Sequence, residues 1–339
     1  IGRQQRAQAT WTRNAAGALN GNQTTEDRAR KRDTLSNRLG WVNHQADGRE
    51  FLVSIEYQDG REDTDRYEER SNAAGVLNRI GTRAQRIDYE ELSPRLVWRG
   101  SEGDVRWEFG AEAHRASRDE HQVRTQASSP LFVSAVTTNP SENYDIEENR
   151  LALYAQNSWR INDAHLLTTG VRLEADRREV VDGLGIKTKE SRVDPNPSVN
   201  HVWTLGKGTL LKTGVARTVR RPDLGDLGTF LDTSTPGTLA NPFTGGNPAL
   251  KPETAWGLDV GIEHVFAAKR GLLALNAFDR EIDDRIETIT QLESAGFVSR
   301  PRNVGDGRLY GLEAEVRVPL TFLSLPNVIV YNHTSLLRS

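Results

Sequence analysis

The side chains that could do chemistry in this sequence are seven histidines, 47 acidic residues and 44 lysines and arginines; there is no cysteine. His44, His114, His121, His165, His201, His264 and His333 are scattered. None falls into a His-Glu-x-x-His or Cys/His spacing, so a zinc hydrolase has no ligand set here. No nucleophile can be assembled with a base and an orienting partner, which predicts a protein that is not an enzyme and implies no cofactor. Two acidic clusters, Glu62-Asp63-Thr64-Asp65 and Asp279 with Glu281, Asp283 and Asp284, bring oxygen ligands of the kind calcium takes. Neither follows the spacing of a calcium loop, and both read as solvated loop charge. The basic run Arg28-Ala29-Arg30-Lys31-Arg32 reads the same way; its functional alternative is contact with lipopolysaccharide phosphates or an anionic ligand. Gly183-Leu184-Gly185-Ile186-Lys187 lacks the spacing of a phosphate loop and reads as an ordinary loop. A net charge of −3, with both signs mixed along the chain, gives no electrostatic footprint for nucleic acid.

The elements that must position these residues follow from hydropathy. Hydrophobic residues make up 36% of the chain, and no run is long and apolar enough for a transmembrane helix. Period-two alternation is instead widespread. Val105, Trp107, Phe109, Ala111 and Ala113 share one face of their segment; Trp256, Leu258, Val260 and Ile262 share another, as do Tyr310, Leu312, Ala314, Val316 and Val318. Leu167, Val171, Leu173 and Ala175, and Phe51, Val53, Ile55 and Tyr57, repeat the pattern, whereas 272–278 is apolar on both faces and its outer side is open. A soluble sandwich would show the same alternation. The connections separate the two readings: short turns at 45–48, 101–103, 162–164, 205–208, 267–270 and 321–326 alternate with long polar stretches at 14–33, 60–88, 116–148, 178–194, 221–252 and 279–303. Outer-membrane barrels place short turns on the periplasmic side and long loops outside. Of seven tryptophans, Trp41, Trp98, Trp107, Trp159 and Trp203 lie near short turns, and Trp11 and Trp256 near long-loop ends, as girdles at the two interfaces require. The expectation is an all-β, transmembrane, antiparallel up-and-down β-barrel. The count is about 13 strands; because single-chain barrels close with an even number, residues 1–339 are expected to be part of a larger one.

Against this background Asn247-Pro248-Ala249-Leu250-Lys251-Pro252-Glu253, followed by Trp256-Gly257-Leu258-Asp259-Val260-Gly261-Ile262-Glu263, resembles the NPxLKPE…xExG signature of TonB-dependent outer-membrane receptors, with Asp259 at the position of a usual Glu. Arg220-Arg221-Pro222 is similar to the family's R(R/A)P motif. Leu153-Tyr154-Ala155-Gln156-Asn157-Ser158-Trp159, Gly170-Val171-Arg172-Leu173-Glu174, and Asn303-Val304-Gly305 with Tyr310-Gly311-Leu312-Glu313 resemble three further motifs in family order. The resemblance implies a plugged barrel of about 22 strands that takes up a scarce ligand, most often a ferric siderophore. It also implies energy from the TonB complex through a plug, with the plug and the closing C-terminal strands expected outside 1–339. Outer-membrane lipid and lipopolysaccharide are the implied surroundings. Cobalamin, other metals or oligosaccharides remain open as ligands, and a passive porin-like channel or a soluble adhesin remains open on the residues alone. Ligand contacts are expected in 60–88, 116–148 and 221–252, with Arg61, Arg66, Tyr67 and Arg70 as candidates for an anionic chelate. The motif residues Arg221, Pro222, Asn247, Pro248, Leu250, Lys251, Pro252, Glu253, Gly261, Tyr310, Gly311 and Glu313 are expected to be structural. Prolines such as Pro248 and Pro252 hold the chain extended where a loop re-enters a strand.

Overall fold

In the computed structural model the described residues are 2–10, 23–72, 74–138, 140–233, 235, 237–266, 270–325 and 327–339. The chain runs through β1 (Gly2–Thr10), β2 (Gln23–His44), β3 (Glu50–Ser71), β4 (Leu77–Glu102), β5 (Val105–Ser128), β6 (Ala135–Val136), β7 (Tyr144–Arg160), β8 (His165–Asp182) and β9 (Lys187–Gly206). It continues with β10 (Thr209–Arg220), β11 (Leu231–Asp232), β12 (Phe243–Gly245), β13 (Glu253–Phe266), β14 (Gly271–Asp283), β15 (Ile286–Glu293), β16 (Gly296–Asn303), β17 (Gly307–Pro319) and β18 (Ile329–Arg338). One antiparallel sheet follows the order β1-β2-β3-β4-β5-β7-β8-β9-β10-β13-β14-β17-β18, with β6 attached to β5. Among the described residues its path has the 13 strands expected, and β1 and β18 each have a single ladder partner, so the sheet described is open. A second small sheet, β11-β12-β16-β15, contains the only parallel pairing among the described residues, β12 with β16.

Register aligns the apolar residues into rows. Phe51, Trp98, Phe109, Ala155, Val171 and Pro197 form one, and Val53, Leu96, Ala111, Leu153, Leu173 and Pro195 the next. These side chains stand in the open: Leu153 is 54% exposed and Val171 50%. On the opposite face Glu174 is 7% exposed and Arg178 2%. A soluble protein shows the reverse arrangement. Apolar residues outward and charges inward describe a wall between lipid and lumen. The two-faced segment of β14 is resolved by its pairing: Leu273 and Leu275 lie in the outward rows of Ile262 and Val316, leaving Leu272, Ala274 and Phe278 inward. At the short-turn end, Trp98 packs on Trp107 at 4.7 Å between centroids and Trp41 on Phe51 at 6.1 Å, a girdle of rings at the interface. Trp11 lies outside the described residues.

The long polar stretches differ from expectation. Most of 60–88 is ladder: β3 and β4 stay paired up to Ser71 and Leu77, leaving a tip at 72–76. Stretch 178–194 is likewise paired up to Val181 and Lys187, and 23–33 belongs to β2; the rest of 14–33 is outside the described residues. β4 has 26 residues, a reach of roughly 85 Å at ~3.3 Å each, while ~9–11 residues suffice to cross the bilayer. Above the membrane both faces are wet, so hydrophobic alternation stops while hydrogen bonding continues. The row Tyr57, Leu92, Arg115, Asn149, Arg177, Ser191 marks the change, and the row above it, from Asp59 to Lys189, is polar throughout. The same alternation separates the acidic cluster at 62–65, with Glu62 and Thr64 inward and Asp63 and Asp65 outward, so it forms no calcium loop.

Two inward tyrosines lie over glycines on neighbouring strands, Tyr89 over Gly60 and Tyr154 over Gly110. A Cβ at Gly110 would collide with the Tyr154 ring, whose hydroxyl donates to Glu108 at 2.9 Å and accepts from Arg95 at 3.0 Å. Gly110→Val is therefore expected to lower stability by about 1–3 kcal/mol in urea-dependent folding into lipid vesicles. Gly40→Val, where nothing lies within 4 Å, should be near neutral.

Candidate functional site

The register that buries charge builds a row of arginines. Arg28, Arg66, Arg83 and Arg124 lie directly opposite one another on β2, β3, β4 and β5, on the inner face above the membrane. Like charges directly opposed on a ladder repel, so the row needs anions. Glu68 takes Arg66 at 3.3 Å, Arg70 at 2.6 Å and Arg79 at 3.0 Å, and Glu26 takes Arg66 at 2.9 Å. Arg83 and Arg124 converge on Asp232, which arrives from the connection 221–252, at 2.9 and 3.5 Å; Arg124 also pairs with Glu142 at 3.1 Å. A cavity of about 140 Å³ lies among Arg66, Arg79, Arg83, Arg124 and Asp232. The buried Nε–H groups of Arg66, Arg79 and Arg83 find no hydrogen-bond partner. Burial pushes the Arg83 guanidinium below its ordinary pKa; Asp232 opposes that shift and Arg124 adds to it. Buried guanidinium donors without a partner, on residues that line a small cavity, suit a carboxylate, phenolate or phosphate.

The four sequence candidates divide by parity. Arg66 lines the cavity and Arg70 holds Glu68 beside it, whereas Arg61 and Tyr67 are on the outer face, paired with Asp88 at 2.6 Å and Glu69 at 2.8 Å. All four are on β3, not in a loop. Arg79, Arg83, Arg124 and Asp232 escaped the sequence reading. Extending the β4 and β5 alternation past the apolar band would have found the arginines, but no local signal places Asp232 among them.

Connection 221–252 reaches the site because it folds back onto the inner wall. Tyr144, Ile146 and Val180 of the wall enclose Leu227 and Leu250 in a buried apolar cluster joined by Leu224, Phe230 and Ile286. Burial raises the Tyr144 phenol pKa, and Glu120, which accepts a hydrogen bond from the phenol at 2.6 Å, adds to the shift. Among the described residues, ligand atoms suited to a metal gather only at Asp119, His121 and Asp145, on the outer face.

Among curated proteins, none matches this chain. Solved structures share its fold, three of them as follows. The copper transporter OprC is 14% identical with a TM-score of 0.55, the match covering 93% of this chain and 53% of that one. The unliganded ferric citrate transporter FecA is 14% identical with a TM-score of 0.53, covering 99% and 56%. The siderophore receptor PiuA from Acinetobacter baumannii is 13% identical with a TM-score of 0.51, covering 94% and 57%. This chain thus spans a little over half the length of those proteins. The family model described as TonB dependent receptor-like, beta-barrel, matches residues 2–336. The chain belongs to that family.

As a TonB-dependent receptor barrel it sits in the bacterial outer membrane, and its family motifs can be read as contacts. Asn247 donates from its side chain to Pro301 O at 3.0 Å and from its backbone to Asp226 O at 2.7 Å. Lys251 N–H donates to Asn303 Oδ1 at 2.9 Å while Asn303 Nδ2 donates back to Lys251 O at 3.0 Å, so two motifs clasp each other. Leu250 and Pro252 are fully buried, and Glu253 accepts from Arg220 and from Ile286 N–H. Arg221 pairs with Glu174 of the wall at 2.6 Å. Gly311 sits against Leu336 O, where a side chain would collide. Pro222, Pro248, Gly261, Tyr310 and Glu313 are not among the residues that line the arginine cavity.

Proposed function

We propose that this chain forms the ligand-binding wall of an active uptake receptor for a scarce anionic small ligand, a ferric siderophore or comparable metal chelate, with transport energised by the TonB complex through a plug. The row Arg28–Arg66–Arg83–Arg124 carries this reading, because four aligned guanidinium groups on the lumen side of the wall suit a negatively charged ligand and would repel a cationic one. The cavity of about 140 Å³ is smaller than the ~300–1,000 Å³ usual for a whole small-molecule site, so it serves one anionic arm of the ligand. Family membership favours active uptake over a passive channel, and the names of the structural neighbours are compatible with a metal chelate as cargo. The test is iron uptake by cells carrying the full-length protein, supplied with radiolabelled ferric citrate or an uncharged ferric hydroxamate, with and without TonB. TonB-dependent uptake that prefers the anionic chelate is expected. Equal uptake without TonB would assign a passive channel, and preference for the uncharged chelate would remove the arginine row from ligand binding.

A further inference from the structure

Connection 221–252 is fixed to the wall at its base. Leu227 and Leu250 lie in the buried cluster, Phe230 stacks on Tyr144 at 6.4 Å between centroids, and Gly246 N–H donates to Phe230 O at 3.3 Å. From that base the chain continues into β11 and β12, which share two register pairs, and through β12 and β16 into the small sheet. The small sheet meets the arginine row through Asp232. One carboxylate there spans two guanidinium groups but completes the bonding of one. Its Oδ2 accepts from Arg83 Nη1 at 2.9 Å, while its Oδ1 faces Arg124 Nη2 at 3.5 Å without a hydrogen bond, and that Nη2 is a buried donor with no partner. Asp232 is held at this distance by its own backbone, which pairs with Thr244. The four arginines of the row, with Arg70 and Arg79 above them, face Glu26, Glu68, Glu142 and Asp232, six cations against four anions. Below the row Glu62 is held by Arg30 and Glu120 by Arg118, so neither is free to make up the difference.

We propose that Asp232 is a resident stand-in for the ligand: a carboxylate arm of the incoming chelate takes its place on Arg83 and Arg124, and β11 moves off the row. The inference rests on the reading of the arginine row as an anion site, and it narrows the arm from an anion to a carboxylate. A carboxylate on a separate molecule is not tethered to β12, so it can approach both guanidinium groups and satisfy the Arg124 donor that Asp232 leaves unmet. Asp232 thereby determines specificity. An arm enters only if it outcompetes a carboxylate already in place, which an uncharged arm does not. The exchange of one carboxylate for another keeps the charge of the row constant, so the site is never left with its guanidinium groups unopposed.

The test uses the full-length protein in detergent, with barrel folding checked by heat-dependent gel mobility and ferric citrate as the carboxylate probe. Backbone amide exchange across 231–245 is measured with and without the probe, in wild type and in Asp232→Asn. Ferric citrate should raise exchange there in wild type by about tenfold or more, because β11 loses its hold on the wall. Asp232→Asn keeps the shape and removes the charge. It should show raised exchange already in the free protein and bind ferric citrate about 10- to 100-fold more tightly in calorimetry. Binding to wild type with exchange unchanged or lowered would overturn the proposal and leave the row an anion site, since the ligand would then add beside Asp232. Unaltered exchange in free Asp232→Asn, or affinity no higher than wild type, would overturn it as well. Failure of both proteins to bind ferric citrate would remove the anion-site reading itself, and this inference with it. The wild-type comparison decides the matter even if the variant fails to fold.

Discussion

On the proposed function, reversing Arg83 and Arg124 to glutamate together is expected to lower the affinity of the full-length protein for an anionic ferric chelate, with ferric citrate as the probe, by about 10²- to 10⁴-fold, measured by titration calorimetry or by fluorescence quenching in detergent. Each charge-assisted hydrogen bond contributes about 1.5–3 kcal/mol, so losing two removes about 3–6 kcal/mol. The two residues are opposed on β4 and β5 and share Asp232, which leaves them inseparable as a charge pair. Reversal puts two carboxylates next to Asp232 and Glu142, so the site repels what it formerly attracted. Arg61→Glu is the matched control. Arg61 belongs to the neighbouring strand β3 but faces outward, paired with Asp88, and its reversal should change affinity less than about threefold. Equal losses from the two replacements would mean that overall charge, and not the row, governs binding.

The second large effect concerns the re-entrant connection. Leu250 is fully buried between the motif prolines, against Tyr144, Ile146 and Val180. Truncating such a side chain removes about 2–5 kcal/mol. Leu250→Ala is thus expected to raise backbone amide exchange across 224–250 by about 30- to 5,000-fold, while β7 and β8 keep their protection. The ladder of β7 and β8 does not depend on the loop, but the loop depends on the wall. Arg178 donates to Leu250 O, and Arg221 pairs with Glu174 at 2.6 Å. Release of the connection withdraws Asp232 from Arg83 and Arg124, so ferric citrate affinity should rise modestly in the same variant. Unchanged exchange would show that the polar clasp between Lys251 and Asn303, and not the apolar cluster, anchors the motif.

What could be read from sequence follows the physics of each face. Within the apolar band one face meets lipid and the other the lumen, so alternation such as Val105, Trp107, Phe109 is strong, and the strand count and outward faces were legible. Above the band both faces meet water. Residues 60–71 read as polar loop although Arg66 and Glu68 are ladder residues, paired with Arg83 and Gly81. That single loss hid the arginine row, because parity, not proximity in sequence, decides that Arg66 and Arg70 face inward while Arg61 and Tyr67 face outward. Asp232 was illegible for another reason: its place depends on a connection folded back by Leu227 and Leu250, a tertiary contact without periodic signal. The motif around Leu250 marked where that connection ends, and only the fold shows what it packs against.

The wall has its apolar face toward lipid and its charged face toward the lumen. Residues 1–339 contain no cysteine, so once any cysteine elsewhere in the full-length protein is replaced, single cysteines at Leu153 and Leu173, outward, and at Ala152 and Gly170, inward, can carry a bimane label in vesicles. Brominated phospholipids should quench the label at Leu153 and Leu173 and leave it bright at Ala152 and Gly170. Uniform quenching, no quenching, or the opposite alternation would contradict the assignment of the two faces, and with it the lumen-side placement of the arginine row.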